Sequence, residues 1–428
     1  MLDLKFIRQN SELVKRACRN KGDKADIDKL IEFDEKRRAL IAEVELLKAE
    51  RNKVSVEISK LKKLGQDASD IITKMRSVGD RIESIDSELK LIEEQITSAL
   101  LWIPNIPHSS VPVGFSDSEN VEVRNWGDIP SFDFTPRPHW EIGEMIGGLD
   151  IRRGANVSGS GFYFLTGPGA RLERALINFM LDTHAGSHGY SEVMVPYLVR
   201  ESSMRGTGQI PKLKSDMYCI LDDESAEPLY LIPTAEVSLT NYFANEILPP
   251  GALPKKFCAF SPCFRREAGS YGKETRGIVR VHQFHKVEMV KIVEPETSYN
   301  ELESLVSDAE VILKSLKLPY RVRLLCTGDL SFAAAKCYDL EIFAPGMNTW
   351  LEVSSCSNFE DFQSRRMNMR YRPEAGAKTI FPHTLNGSGL ALPRTLAGIL
   401  ENYQTKNGSV IVPDLLRPYL GGLEEIKG

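Results

Sequence analysis

The stretch FRREAGSYGKETRGIVRVHQFHKVEM, residues 264–289, is the part of the sequence that decides the fold of the larger domain. The segments SPCFRRE and IVRVHQFHKVEM at its two ends have strand character, and the Gly-rich middle predicts a connection that reverses the chain. Six of its 26 residues are Lys or Arg, although the net charge of the chain is only −5. The plain interpretation is a solvated hairpin tip, and the alternative is a hairpin that closes over a polyanion.

A nucleotide held by this hairpin would need particular side chains. Arg265, expected on the first strand, would present a planar fork to a phosphate, and Phe284 on the return strand would offer an apolar face to a base. Glu267 and Glu288 would repel phosphate unless they held a metal, an amino group of the base or the ammonium of a second substrate. Neither GxxxxGK[ST] nor GxGxxG between strand and helix occurs, so the common nucleotide-binding loops are excluded.

Composition places the chain in the soluble globular range, and its length is sufficient for two or more domains. The chain has 428 residues, of which 42% are hydrophobic and 26% charged. No apolar run approaches the ~20 residues that a bilayer requires, and MLDLKFIRQN resembles neither a signal peptide nor a transit peptide. We therefore expect a cytoplasmic protein without a membrane partner. The seven cysteines include no CxxC pair, which predicts reduced thiols and no zinc site.

Residues 27–100 predict a long helical hairpin. They contain no proline, and apolar side chains recur at steps of three and four if Arg37 and Arg51 are allowed into the seam. KLGQDASD, residues 63–70, joins two helices of about 35 residues, each on the order of 50 Å long. Gly65 suits the end of the first helix, and Asp67 or Ser69 the start of the second. The seam consists of Leu30, Phe33, Leu40, Val44, Leu47, Val54, Ile58 and Leu61, then Ile71, Met75, Val78, Ile82, Ile85, Leu89, Ile92 and Ile96.

The tip of this hairpin is basic. An ordinary solvated coiled coil is one interpretation of such a charge run, and contact with the phosphates of a nucleic acid, which releases counterions, is the other. Six basic residues stand against Glu50 and Glu57, an excess of four positive charges: Lys48, Arg51, Lys53, Lys60, Lys62 and Lys63.

The composition changes after Leu101. WIPNIPHSSVPVG cannot continue a helix, so we place a domain boundary near Ile106, with domains at 1–106 and 107–428. A helix is predicted from Ala170 to Ala185 and another from Leu392. Strands are predicted in YSEVMVPYLV, FCAFSPCF and YRVRLLC. Strands grouped into hairpins favour an α+β domain built on an antiparallel sheet with flanking helices.

Three ordered motifs resemble those of the class II aminoacyl-tRNA synthetases. FRREAGSYGKETRGIVRVHQF resembles motif 2, which binds ATP; GYSEVMVPYLV with Pro196 resembles motif 1, the dimer-forming helix and strand; and GSGLALPRTLAGILENYQ with Arg394 resembles motif 3. Around them, IPTAEV, CTGDLSFAAAKCYDLE, LEVSSCSNFEDFQSRR and NGSG behind the hairpin resemble the bacterial type of seryl-tRNA synthetase over nearly the whole chain. Pro393 and Phe343 depart from residues common in that family.

The resemblance implies a role for each matched residue. Arg265, Glu352 and Arg394 would be catalytic, and Glu352 would hold Mg²⁺ that accompanies ATP. The serine site would comprise Thr234, Ala235, Glu236, Glu288, Asn386 and Ser388. The ATP site would comprise Arg265, Arg266, Glu267, Arg280, Val281, Phe284, Glu352, Val353, Ser354, Ser355 and Arg394, with Arg276 nearby.

The family's chemistry would need positioning and charge neutralisation rather than a protein nucleophile. Its implied partners are ATP, L-serine, tRNA(Ser), bound by the basic tip, and a second copy of the chain in a homodimer. The resemblance leaves open whether tRNA(Sec) is also charged. Two alternatives stand beside it: a paralogue that charges a carrier protein, which would not need the basic arm, and a non-enzymatic RNA-binding protein, which would be expected to lose Arg265, Glu352 or Arg394.

Overall fold

The computed structural model describes residues 1–221, 227–268 and 276–428. The chain divides into two compact units. One comprises Leu2–Arg19 with Asp23–Ile103, and the other comprises Met1, Asn20–Gly22 and Pro104–Gly428. No helix among the described residues is both long enough and apolar enough to cross a bilayer.

The N-terminal unit contains the predicted helical hairpin. Its helices are α1 (Leu4–Gln9), α2 (Ser11–Asn20), α3 (Ile27–Lys63) and α4 (Ser69–Leu101). At 1.5 Å per residue, α3 is about 55 Å long. It ends as predicted: Gly65 adopts a φ of 69°, and Gln66 N and Gly65 N donate to Leu61 O and Lys62 O at 3.0 and 3.3 Å, as in a Schellman motif. The N-cap of α4 is Ala68 rather than Asp67 or Ser69, and Asp67 Oδ1 accepts from Ser69 N at 2.9 Å from one residue before that cap.

The seam of the hairpin follows the predicted heptads. Leu30, Leu40, Val44, Ile82, Ile85, Ile92 and Ile96 are buried, and the seam residues nearer the tip are half-buried. The two arginines behave differently from each other, because Arg37 is half-buried whereas Arg51 is exposed. Asp34 is a buried charge that the heptad pattern did not predict; it is paired with Arg8 at 2.5 Å and with Arg37 at 2.9 Å.

The larger unit is built on an eight-stranded sheet. Its strands are β1 (Val121–Trp126), β4 (Ser191–Glu192), β9 (Lys255–Phe264), β10 (Gln283–Val293), β11 (Tyr320–Leu324), β12 (Lys336–Ala344), β13 (Thr349–Asn358) and β15 (His383–Ala391). Their order across the sheet is β1-β11-β12-β13-β15-β10-β9-β4. Every neighbouring pair in it is antiparallel except β4 with β9, at the edge. The shorter strands outside this sheet are β2 (Leu149–Asp150), β3 (Phe164–Leu165), β5 (Leu198–Arg200), β6 (Cys219–Ile220), β7 (Leu229–Leu231), β8 (Ile247–Leu248), β14 (Arg370–Tyr371), β16 (Val410–Ile411) and β17 (Glu425–Ile426).

Helices cover the sheet and complete the core. They are α5 (His139–Met145), α6 (Ile151–Ser158), α7 (Gly167–Gly186), α8 (Glu201–Thr207), α9 (Glu236–Thr240), α10 (Ser298–Ser315), α11 (Phe362–Arg366) and α12 (Leu392–Asn402). Leu176, Leu305 and Leu396, from α7, α10 and α12, are buried in one cluster with Val287 and Leu340 of the sheet. Burying each such side chain contributes on the order of 2 kcal/mol, so this cluster supports the strands that carry the site.

The predicted ATP hairpin is formed by β9 and β10, but both strands are shorter than predicted. β9 ends at Phe264, so Arg265 lies one residue beyond it, and β10 begins at Gln283 rather than at Ile278. The last pair of residues in the β9–β10 ladder is Phe264 with Gln283. His282 N donates to Gly161 O at 3.0 Å, whereas His282 O still accepts from Arg265 N, so the regular ladder ends at Gln283. The predicted Gly-rich connection, 269–275, lies outside the described residues.

The remaining element predictions are largely confirmed. α7 extends slightly beyond the predicted helix on both sides, and α12 begins at Leu392 as predicted, with Pro393 in its first turn, where no intrahelical N–H bond is lost. YSEVMVPYLV was wrong as one strand, because only Ser191–Glu192 and the residues from Leu198 onward are extended in ladders. Pro196, which has no N–H to donate, lies between the two short strands.

Candidate active site

A cavity of about 540 Å³ opens beside β10, β13 and β15 and the start of α12. The structure brings most of the predicted site residues into its lining. These are Thr234, Glu236, Arg265, Glu267, Arg280, Val281, Phe284, Glu352, Val353, Ser355, Asn386, Ser388 and Arg394. Four predicted residues are not in the lining: Ala235, Glu288 and Ser354 are buried, and Arg266 is exposed.

Arg265 and Phe284 lie together at the open end of the β9–β10 hairpin. The Arg265 Cζ is 5.1 Å from the centroid of the Phe284 ring, within cation–π range. Arg265 N donates to His282 O at 2.9 Å, and Arg265 Nε reaches Pro233 O at 3.4 Å. Because the backbone and the guanidinium are both anchored, this charge is held at a defined place in the cavity.

Glu267 and Arg280 form an ion pair in the cavity wall, with 2.5 Å between Glu267 Oε2 and Arg280 Nη1. Glu267 has a φ of 50°, which is unfavourable for a residue with a Cβ. Asp216 stabilises this turn, because its Oδ1 accepts from Ala268 N and its carbonyl from Arg266 N, both at 2.8 Å. Asp216 was missed by the sequence analysis, since no motif includes it.

Arg394 and Glu352 meet across the cavity from the first turn of α12 to β13. Arg394 Nη1 is 3.2 Å from Glu352 Oε2 and donates to Glu352 O at 2.8 Å. Arg394 Nε donates to Val279 O at 3.2 Å, so the same guanidinium also holds the segment before β10. Arg394 is therefore a fixed cation in the lining of the cavity.

Two buried carboxylates, Glu236 and Glu288, define what we call the closed end of the cavity. Glu236 accepts a hydrogen bond at 2.7 Å from Gln363 Nε2, and Glu288 Oε2 is 2.5 Å from Lys286 Nζ. Neither oxygen of Glu288 receives a hydrogen bond of ordinary geometry from the described residues, so the contact with Lys286 is an ion pair rather than a well-aligned bond. Gln363 was missed by the sequence analysis, although it lies inside the quoted LEVSSCSNFEDFQSRR.

Burial dominates the ionisation of these carboxylates. It raises the pKa of Glu236 to about 7, with a further contribution from the negative charge of Glu288. Burial also raises the pKa of Glu288, and Lys286 opposes that shift. Lys286 and Arg265 act on both buried carboxylates, yet burial still raises both pKa values, which favours a substrate that brings a further positive charge.

Polar groups surround these carboxylates. Thr234, Asn386 and Ser388 line the cavity, and Thr234 Oγ1 accepts from Glu236 N at 3.1 Å. Ser354 lies on β13, the neighbour of β15 in the sheet, and its hydroxyl donates to Ser388 O at 2.6 Å. Ser354 therefore supports the strand that carries Ser388 rather than lining the cavity.

Glu352 and Ser355 offer oxygen donors on β13. Carboxylate and hydroxyl oxygens fit Mg²⁺, which takes few protein ligands and shares the rest of its shell with phosphate and water. Nearby, burial and the charge of Glu352 hold the pKa of Asp339 well above its usual range. The described residues contain no group of three or more His, Cys, Asp or Glu side chains arranged to hold a metal.

The basic residues predicted at the hairpin tip lie on the surface of the N-terminal unit. Arg51, Lys53, Lys60, Lys62 and Lys63 are exposed. Lys48 is paired with Asp86 of α4 at 3.2 Å, so part of its charge is neutralised within the hairpin.

Comparison with known proteins matches both units. Residues 1–107 match the seryl-tRNA synthetase N-terminal domain, and residues 218–403 match the tRNA synthetase class II core domain for G, H, P, S and T. Serine–tRNA ligase of Desulforudis audaxviator is 57% identical over 426 residues, covering 100% of this chain and 99% of that protein. Serine–tRNA ligase of Geobacter sulfurreducens is 53% identical, with complete coverage of both chains.

A solved structure agrees with this match. Seryl-tRNA synthetase from Pyrococcus horikoshii, complexed with ATP, superposes with a TM-score of 0.94 at 38% identity and covers 100% of this chain and 99% of its own. Identity of this extent over whole chains is a family-level relationship, so the chain belongs to the seryl-tRNA synthetase family.

Proposed function

We propose that this chain activates L-serine with ATP and transfers the seryl group to the 3′ end of tRNA(Ser). The observation that carries the proposal is the grouping in one cavity of an anchored arginine pair, Arg265 and Arg394, with the buried carboxylates next to it. Cations suit the triphosphate, and carboxylates suit the ammonium of an amino acid. The full-length similarity to serine–tRNA ligases supports serine as that amino acid.

Serine would bind at the closed end of the cavity. Its ammonium would lie against Glu236 and Glu288, and its hydroxyl would be satisfied by Thr234, Asn386 or Ser388. Ala235, buried between Thr234 and Glu236, would shape the wall. A buried site that hydrogen-bonds a hydroxyl discriminates strongly against a substrate that lacks one, because the polar groups of the protein are then left unpaired.

ATP would lie at the open end, with its base on Phe284 beside Val281 and its phosphates between Arg265 and Arg394. Glu267 and Arg280 would contact the base and phosphates. Arg266 is exposed, so its contribution would be limited to the rim. Val353 and Ser354 would act through the backbone of β13, which carries Glu352 and Ser355.

The first step joins the serine carboxylate oxygen to the α-phosphorus as the bond to pyrophosphate breaks. The protein holds both reactants in line and neutralises charge that develops on the phosphates, for which Arg265 and Arg394 are placed. Mg²⁺ held by Glu352 and Ser355 would neutralise further phosphate charge when bound. In the second step, a ribose hydroxyl of the tRNA attacks the seryl carbonyl and AMP leaves.

The two domains would have separate roles, with tRNA binding in residues 1–106 and catalysis in residues 107–428. The exposed lysines at the hairpin tip would contact tRNA phosphates, an arm that a carrier-charging paralogue would not need. The active form would be a homodimer, for which the exposed apolar side chains of Met194, Tyr197 and Leu198 at motif 1 provide a surface. We place the protein in the cytoplasm, where its seven free thiols would stay reduced.

Serine-dependent exchange of pyrophosphate into ATP, measured with and without tRNA, tests the proposal. Exchange that needs serine but not tRNA, followed by seryl transfer to tRNA(Ser), is the expected result. Exchange without transfer to tRNA would favour the carrier-charging paralogue, and absence of both activities would leave only RNA binding.

A further inference from the structure

The segment Ile278–Val281 forms one wall of the cavity without belonging to a regular strand. All four of its residues line the cavity, and no sheet ladder includes them. Its shape therefore depends on bonds from elsewhere. Arg394 Nε donates to Val279 O, and Ile278 N donates at 3.1 Å to Nε2 of His139, a residue 139 positions earlier in the chain.

The contacts of His139 determine its tautomer. The side chain is completely buried, and Nδ1 is 2.8 Å from Glu401 Oε1. A backbone amide can only donate, so Nε2 must carry a lone pair toward Ile278. The ring proton therefore resides on Nδ1, where the carboxylate of Glu401 accepts it. An imidazolium could not make the bond to Ile278.

Both carboxylate oxygens of Glu401, the residue that accepts from His139, have two hydrogen-bond donors each. It is fully buried, and its Oε1 also accepts from His139 N at 2.9 Å. Its Oε2 accepts from Gly346 N at 2.8 Å and Met347 N at 3.1 Å. Glu401 lies seven residues after Arg394 on α12, two turns along the same helix. One helix thus carries both Arg394, which bonds to Val279 in this wall, and Glu401, which bonds to His139.

The approach of the chain to His139 is unusually close. Gly277 has a φ of 79°, and a Cβ there would lie 2.1 Å from His139 Nε2, so only glycine permits the contact. The next residue of α5, Trp140, holds Arg276, whose Cζ is 4.8 Å from the indole ring. His139 and Trp140, consecutive residues of α5, therefore both contact the chain just before the segment Ile278–Val281. A histidine that served only to fill the core would not require glycine at position 277.

We propose that His139 is a positioning residue for ATP. Through its hydrogen bond to Ile278 it fixes the wall at Ile278–Val281, and Glu401 keeps the ring in the one tautomer that can accept that bond. This inference rests on the proposed function, because it assigns the wall to the ATP side of the cavity. Serine, at the closed end, should be bound independently of His139.

A matched pair of substitutions at His139 distinguishes a role in positioning Ile278 from a role in filling the core. In His139→Gln the amide oxygen can reach the place of Nε2 and accept from Ile278, whereas in His139→Asn the amide group replaces Nδ1 and nothing accepts from Ile278. Loss of one buried hydrogen bond corresponds to about a tenfold effect. His139→Asn should therefore raise the KM for ATP in pyrophosphate exchange about tenfold with the KM for serine unchanged, and His139→Gln should stay within about threefold of the wild type. Equal KM values for ATP in the two variants would overturn the proposal.

Amide hydrogen exchange provides a test that needs no variant. The Ile278 amide of the wild-type chain, without ATP, should be protected from exchange at residue resolution, and rapid exchange at this amide would overturn the proposal even if neither variant folds. Failure of the proposed function is distinguishable: a wild-type chain without serine-dependent ATP exchange would refute that function, whatever the protection of Ile278.

Discussion

Lys286 and Glu288 stand two residues apart on β10, and the lysine Nζ lies 2.5 Å from Glu288 Oε2 although both side chains are buried. Glu236 shares this region, since the charge of Glu288 contributes to its raised pKa. Lys286 and Arg265 therefore oppose the pKa shifts of both carboxylates without cancelling them. Burial raises the pKa of both carboxylates, and that of Glu236 reaches about 7, so without a substrate cation this pair holds a proton more readily than exposed carboxylates do.

Glu236 should make the free protein less stable as the pH rises. Its pKa is raised from an ordinary 4.5 to about 7, so its stabilising contribution is complete below pH 4.5 and is lost as the pH passes 7. The difference corresponds to at most about 3 kcal/mol. Calorimetric Tm values of the wild type and Glu236→Gln should therefore diverge between pH 5 and pH 8. The Tm of the wild type should fall relative to that of the variant as the pH rises. Parallel Tm profiles would contradict the shift.

Replacing Arg265 with alanine should abolish adenylate formation without unfolding the chain. The guanidinium lies over Phe284 and is anchored at Pro233, and loss of such a transition-state partner costs about 3 to 4 kcal/mol, or 10²- to 10³-fold in rate. Pyrophosphate exchange measures the loss, and Arg152→Ala, at an exposed position on α6 outside the cavity lining, is the control. Wild-type exchange by Arg265→Ala would place the α-phosphate elsewhere.

Serine should be preferred strongly over alanine. Thr234, Asn386 and Ser388 put polar groups around the closed end of the cavity, and a site of that kind rejects the analogue without a hydroxyl by roughly 10⁴. The ratio of kcat/KM for the two amino acids in pyrophosphate exchange is the measurement. Ratios within tenfold of unity would exclude this pocket as the serine site.

The helical hairpin should be separable from the activation of serine. The ion pairs Lys36–Glu88 and Glu43–Arg81 show which residues of α3 and α4 face each other, so residues 46–78 can be removed and Glu45 joined to Gly79 by a short turn. This leaves the buried Leu40, Val44, Ile82 and Ile85 in place. Serine-dependent exchange should survive, and transfer to tRNA should collapse.

Charge at the tip can be tested separately by replacing Lys53, Lys60, Lys62 and Lys63 with alanine. The variant should bind tRNA more weakly, and its log–log salt slope should fall by up to ~0.9 for each tRNA phosphate that the lysines no longer neutralise. Lys29→Ala with Lys90→Ala, exposed positions near the root of the hairpin, is the control. Full aminoacylation with an unchanged KM for tRNA in the shortened chain would show that the hairpin is only a solvated coiled coil.

The chain should sediment as a dimer at micromolar concentration. Met194 is 94% exposed, and Tyr197 and Leu198 near it are also exposed, which is unfavourable for apolar side chains that lack a partner. Met194→Asp should shift the equilibrium toward the monomer, whereas Val157→Asp, at an exposed apolar position on α6, should not. A wild-type monomer would refute the dimer.

The sequence by itself determined the helical hairpin and the identity of most cavity residues. Heptad spacing and turn chemistry act between residues a few positions apart, so Gly65 and Asp67 could be assigned to the turn from the order of residues alone. The motifs around Arg265, Glu352 and Arg394 were likewise recognisable, because each is a short run of neighbouring residues.

Only the tertiary structure decided which of these residues meet and what holds them. β10 begins at Gln283 because His282 N donates to Gly161 O and only the carbonyl of His282 bonds to the residue after β9, although the pattern of IVRVHQF continues unbroken. The buried pairing of Asp34 with Arg8, the support of the Glu267 turn by Asp216, and the chain of bonds from Glu401 through His139 to Ile278 join residues distant in sequence. Such interactions depend on how helices and strands pack, and local periodicity carries no information about partners that are far apart along the chain.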